Sequence, residues 1–79
     1  MNSKDKKTYF ITGASKGLGL EFALHALRQG NNVIATARKH ESLNRLSNEF
    51  PSQVLATRVD VTNRETIKKA VNLGKITFG

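Results

Sequence analysis

A chain of 79 residues with no cysteine and a net charge of +7 excludes several classes at once. One domain at most fits this length, the fraction of surface it can bury is small, and no disulfide or thiolate metal site can add stability. The 13 Lys and Arg are spread from Lys4 to Lys75, with no block denser than Lys4–Lys7 and only 4 Phe and 1 Tyr to stack on bases, so specific nucleic-acid binding is not expected.

Taken in order, residues 1–6 are polar and read as a mobile tail. No apolar core follows Lys4, Lys6 and Lys7, so the start is not a secretory signal, and no run approaches membrane-spanning length. The expectation is a soluble, cytoplasmic protein with no membrane contact. Residues 7–12 are β-rich and nearly continuous in apolar character, as in a strand covered on both faces. A helix is predicted from about Leu18 to Gln29, with Leu18, Phe22, Ala26 and Gln29 on one side and Leu20, Leu24 and Leu27 nearby. Gly30 suits the left-handed position that closes many helices.

Val33 to Ala37 is a second buried type of strand, and Arg38-Lys39-His40 stands at its carboxyl end. Residues 41–50 predict a helix, with Leu43, Leu46 and Phe50 spaced i, i+3 and i+7 before Pro51 stops it. Gln53 to Val59 is a third strand. Thr62 and Glu65 then have capping-box spacing for a helix through Ile67, Ala70, Val71 and Leu73, with Gly74 as its end. The two histidines, His25 and His40, have no metal-ligand spacing. The order β-α-β-α-β-α with short connections predicts an α/β fold. It is a partial Rossmann fold of three parallel strands in the order 3-2-1 with crossover helices, lacking the second half of the doubly wound sheet.

The chemistry concentrates between Thr12 and Gly19, Thr-Gly-Ala-Ser-Lys-Gly-Leu-Gly, where a strand meets a helix. Gly13, Gly17 and Gly19 let the backbone bend and let a pyrophosphate approach, and free amides at the helix start favour an anion. A P-loop is excluded, since the second glycine comes one residue early and lacks the following Lys. The spacing Gly-x-x-x-Gly-x-Gly after a Thr instead resembles the short-chain dehydrogenase/reductase family, over residues 7–79.

That resemblance implies a dinucleotide held by Gly13, Ser15, Lys16, Gly17, Leu18 and Gly19. It also implies NADP as the cofactor. Ala37 holds the position where NAD-preferring members place Asp, and Arg38 follows it; Lys16 matches a second basic residue aimed at the same 2′-phosphate. Asp60 is implied as the acceptor for the adenine amino group, with the Val61 backbone beside the ring. Capping the helix that begins near Thr62 is an equally open role for Asp60.

The family's Asn-Asn-Ala-Gly motif, catalytic Ser and Tyr-x-x-x-Lys pair do not occur in these 79 residues, and Tyr9 has Gly13 four positions later. Catalysis by this chain alone is therefore not expected, and no catalytic or metal-binding residue is assigned. The reading is the NADP-binding amino-terminal fragment of an oxidoreductase whose intact, homo-oligomeric parent moves a hydride between NADP(H) and a carbonyl or alcohol substrate. The alternative is a small non-catalytic protein that binds nucleotide or a partner.

Overall fold

The computed structural model describes residues 6–78, so the tail expected at the amino terminus lies, apart from Lys6, outside the described residues. Three strands, β1 (Thr8–Thr12), β2 (Asn32–Ala37) and β3 (Val54–Arg58), form one parallel sheet in the order β1-β2-β3. Phe10 faces Ile34 across the first pair, and Ile34 faces Leu55 across the second. Parallel neighbours need a crossover. These are α1 (Gly17–Arg28) and, between β2 and β3, a 3-10 turn (His40–Leu43) running into α2 (Asn44–Glu49). A final helix, α3 (Arg64–Phe78), follows β3.

The central strand is buried along all six residues, and Val33, Ala35 and Ala37 join Ala23, Leu24, Leu27, Leu43 and Leu46 in the core. β1 departs from the expectation of cover on both faces: Thr8, Tyr9 and Thr12 are exposed, and only Phe10 and Ile11 are half-buried. It pairs with β2 alone among the described residues, so one edge is open.

α1 begins at Gly17 and ends one residue before Gln29, and its buried face differs from the one predicted. Ala23, Leu24, Ala26 and Leu27 are buried, while Leu18 and Phe22 are 78% and 65% exposed. The small residues Ala23 and Ala26 allow close approach to the sheet, which turns the larger Leu18 and Phe22 outward. The helix end is as expected. Gly30 has φ +86°, its N–H donates to Leu27 O at 3.0 Å, and the Asn31 N–H donates to Ala26 O at 3.1 Å. That pair of bonds is a Schellman closure.

The helix predicted over 41–50 divides, because its first part is wound more tightly. The Ser42 hydroxyl donates to Lys39 O at 2.6 Å and the Ser42 N–H to the same oxygen at 3.2 Å, closing a 3-10 turn before α2 begins. Leu43 and Leu46 are buried as the spacing required.

Two boundaries of α3 are corrected. Its cap is Asn63, whose Oδ1 accepts from the Glu65 N–H at 3.0 Å, whereas the Thr62 hydroxyl turns back to Asp60. Gly74 does not end the helix, which continues to Phe78. It is buried against β2, and a Cβ there would lie 2.9 Å from Ile34 Cγ1. Its smallness admits the Ile34 side chain between helix and sheet.

Candidate functional site

The turn between β1 and α1 is pinned to the central strand before any ligand is considered. The Ala14 N–H donates to Thr36 O at 3.1 Å, and the buried Thr36 hydroxyl donates to Ile11 O at 3.2 Å. Gly13 and Gly17 have φ of +63° and +62°, conformations that L side chains rarely adopt, and nothing lies within 4 Å of where a Cβ would project. Gly19 serves differently. A Cβ on it would run into the backbone carbonyl of Gly13, so this glycine sets how closely α1 approaches the turn.

Lys16 occupies the N-cap position of α1 in an extended conformation, with no side-chain cap and no acidic residue in the first turn. The first amides of the helix and its positive dipole end are therefore left to an anion. Ser15 and Lys16 flank this end, and no side chain of the turn competes for it.

A cavity of about 800 Å³ opens here, beyond the carboxyl ends of the three strands. It brings together Gly13, Ser15 and Lys16 from the turn, Arg38 from the end of β2, and Asp60 and Val61 from the end of β3. Those six candidates from sequence meet in one place. Gly17, Leu18 and Gly19 lie in the first turn of α1 and do not line the cavity. Thr36, Lys39, Ser42 and Thr62 line it too and were not singled out as binding residues from sequence. For Ser42 and Thr62 a signal exists in hindsight, since each follows a turn-forming position at short spacing. For Thr36 only the packing reveals it.

The charge distribution suits a phosphate-rich ligand. Lys16, Arg38 and Lys39 are exposed at the cavity. The ion pair observed among the described residues joins Arg45 to Glu49 at 3.3 Å, so these three cations have no ion-pair partner there. Arg38 offers a planar fork and the lysines point charges, both suited to phosphate.

Asp60 follows the end of β3 and lines the same cavity. Its Oδ1 accepts from the Thr62 hydroxyl at 2.6 Å and from the Thr62 N–H at 3.0 Å. The Thr62 hydroxyl, and then its N–H, hold the Asp60 carboxyl below its ordinary range; desolvation opposes them, and Arg38 and then Arg58 add smaller pulls downward. The backbone is held as well, since the Asp60 N–H donates to Thr66 Oγ1 at 3.1 Å. A fixed, ionised acceptor thus faces the same cavity as the cations. An open glycine cradle, an uncapped helix start, exposed cations and a carboxylate acceptor together form a site suited to a phosphate-bearing nucleotide.

Comparison with known proteins agrees with this geometry. The family model for short chain dehydrogenase matches residues 7–79. Oxidoreductase BOA17 of Botryotinia fuckeliana is 47% identical over 74 residues, which is 92% of this chain and 27% of that protein. The NADP-dependent 3-hydroxy acid dehydrogenase YdfG of Salmonella typhi is 41% identical over 59 residues, 75% of this chain and 24% of that protein. Among solved structures, a short-chain dehydrogenase from Streptomyces avermitilis superposes with a TM-score of 0.87 at 35% identity, covering 95% of this chain and 28% of the other. A short chain dehydrogenase/reductase from Burkholderia phymatum in complex with NAD superposes with a TM-score of 0.86 at 26% identity, covering 100% and 29%. The chain thus spans about a quarter of the length of the curated relatives it matches. By its glycine turn, its three-strand parallel sheet and the match over residues 7–79, the chain belongs to the short-chain dehydrogenase family.

Proposed function

We propose that residues 7–79 are the NADP-binding amino-terminal part of a longer oxidoreductase, one that moves a hydride between NADP(H) and a carbonyl or alcohol substrate. The observation that carries this reading is the meeting of Lys16, Arg38 and Asp60 around one cavity at the carboxyl edge of the sheet. Gly13, Ser15 and the first amides of α1, at Gly17, Leu18 and Gly19, hold the pyrophosphate. Arg38 and Lys16 neutralise the 2′-phosphate, and Asp60 with the Val61 backbone takes the adenine. When bound, the nicotinamide ring supplies or accepts the hydride. The residues of this chain anchor the adenosine half and fix its orientation. The name of the YdfG relative supports NADP, while the Burkholderia structure shows that the fold also accepts NAD. The choice therefore rests on Ala37, which puts no carboxylate where one would repel the phosphate, and on the cation Arg38 that follows it.

Titration of Arg38→Ala with both cofactors tests the assignment. A charge-assisted hydrogen bond contributes about 1.5–3 kcal/mol, and the exposed rim lowers that. The expected result is a loss of NADP affinity of roughly 10- to 100-fold with NAD nearly unchanged. Equal weakening of both would place Arg38 in the fold and remove the NADP assignment. Independently, reading the coding sequence past residue 79 should reveal Asn-Asn-Ala-Gly and Tyr-x-x-x-Lys in frame.

A further inference from the structure

Asp60 carries one bond pattern that the cofactor reading does not explain by itself. Both hydrogen bonds to its carboxylate go to the same oxygen, Oδ1, and both come from Thr62, at 2.6 Å from the hydroxyl and 3.0 Å from the N–H. Oδ2 has no hydrogen-bond partner among the described residues. A freely rotating Asp on an exposed loop would sample several orientations, and ordering it on ligand binding costs rotamer entropy. Here two donors on one residue hold one edge of the carboxylate and leave the other edge bare. Thr62 itself lines the cavity beside Asp60 and Val61.

The backbone beneath is also fixed. Thr66, in the first turn of α3, accepts from the Asp60 N–H at 3.1 Å and its hydroxyl stands 2.9 Å from Asp60 O and 2.8 Å from Asn63 O. The Asn63 N–H donates to Asp60 O at 2.9 Å, which closes a tight turn. The segment from Asp60 to Asn63 is thus tied to α3 at the backbone and to Thr62 at the side chain. A Thr two residues after an Asp is a common local turn partner. What makes it more than a turn here is its place: the oxygen without a partner among the described residues belongs to a residue that lines the cavity where the nucleotide is proposed to bind.

We propose that Thr62 is a positioning residue for base recognition, holding Oδ1 of Asp60 so that Oδ2 accepts a hydrogen bond from the exocyclic amine of a 6-aminopurine. This inference rests on the cofactor reading above and goes beyond it, because it assigns selectivity for adenine over a 6-oxopurine to a residue that need not touch the base. An amine donates to a carboxylate, whereas the 6-oxo group of hypoxanthine would bring an acceptor against an acceptor.

The test uses the full-length protein and two probes, NADP and its deamino analogue, in which hypoxanthine replaces adenine. Wild type is expected to prefer NADP about tenfold, the scale of one partly solvated hydrogen bond to a charged group. Thr62→Val, which keeps the shape and loses the hydroxyl, should cut that preference to about threefold or less by weakening NADP alone. Thr62→Ser should restore it. A cofactor-free readout accompanies the titration: the Asp60 carboxyl, followed by NMR, should titrate at higher pH in Thr62→Val and at the wild-type pH in Thr62→Ser. Should Thr62→Val fold poorly, Thr62→Ala serves in the same comparison.

The outcomes distinguish the role of Thr62 from the cofactor site itself. If wild type discriminates between the bases and Thr62→Val does so equally, or weakens both probes alike, the role of Thr62 is overturned and the cofactor site stands. If wild type binds both probes equally well, base recognition by Asp60 and the role of Thr62 in it are overturned while the cofactor site stands; if it binds neither, the cofactor reading fails and takes this inference with it.

Discussion

Two glycines in the same turn illustrate how one residue type can be required for opposite reasons. Gly13 needs its positive φ and has open space around it, whereas Gly19 is helical and has no space at all on the side of the Gly13 carbonyl. Gly19→Ala therefore forces backbone against backbone, which neither side can relieve by changing a rotamer. A destabilisation of about 1–3 kcal/mol is expected, read as a lower denaturation midpoint, together with weaker dinucleotide binding. Asp60 gives a pH signature at the same scale. Its folded-state pKa is depressed, so the stabilisation it brings is present above the unfolded value and is lost as pH falls through the folded one. Relative to Asp60→Ala, wild type should hold its advantage at neutral pH and lose it progressively below the ordinary Asp value of 3.8. Denaturation midpoints of the two proteins across that range check the sign.

Helix α3 shows what sequence reading resolves at the level of an element and what it does not. The capping pattern placed the start of a helix correctly to within two residues, yet Asn63 rather than Thr62 caps it. Thr62 and Asn63 are both good caps by type. What separates them is Asp60, which engages the Thr62 hydroxyl and so removes it from the competition. Asn63→Ala should cost about 1 kcal/mol of stability by chemical denaturation. At the other end of the helix, Gly74 looked like a terminator because glycine usually is one near a helix end. Its contact with Ile34 on the neighbouring strand kept it helical instead, a relation between residues 40 positions apart that no local pattern contains.

At the scale of the whole fold, the sheet of the described residues leaves one edge of β1 open, with apolar surface beside it. Tyr9 on β1 and Phe22 on α1 border a groove of about 650 Å³ along that edge, and Leu18, Leu73 and Ile76 are exposed elsewhere. A strand with one free edge and apolar neighbours invites pairing with another chain. The 79-residue chain expressed by itself is expected to self-associate, with a sedimentation coefficient that rises with concentration. Tyr9→Lys combined with Phe22→Glu should shift it toward monomer. A monodisperse monomer with a sharp, cooperative thermal transition would contradict this expectation.

The α/β order and the family were legible in the sequence, because each depends on local information; that six of the nine candidate residues line one cavity is a fact of the tertiary structure. Glycine spacing encodes backbone angles, a run of β-branched and apolar residues encodes a strand, and the alternation of strands with helices encodes parallel crossovers. Three things were decided only in the tertiary structure. Which face of α1 is buried depends on Ala23 and Ala26 meeting the sheet, and the exposure of Leu18 and Phe22 follows from that. Thr36 reads as a strand residue, but its bonds across to Ile11 in β1 and to Ala14 in the turn exist only once β2 lies beside β1. The orientation of Asp60 was set by Thr62, two residues away in sequence, but its meaning came from the cavity that β1, β2 and β3 create together. Local rules fix which conformations the backbone can adopt. Which side chains then face one another is decided by packing between segments that the chain brings together from a distance.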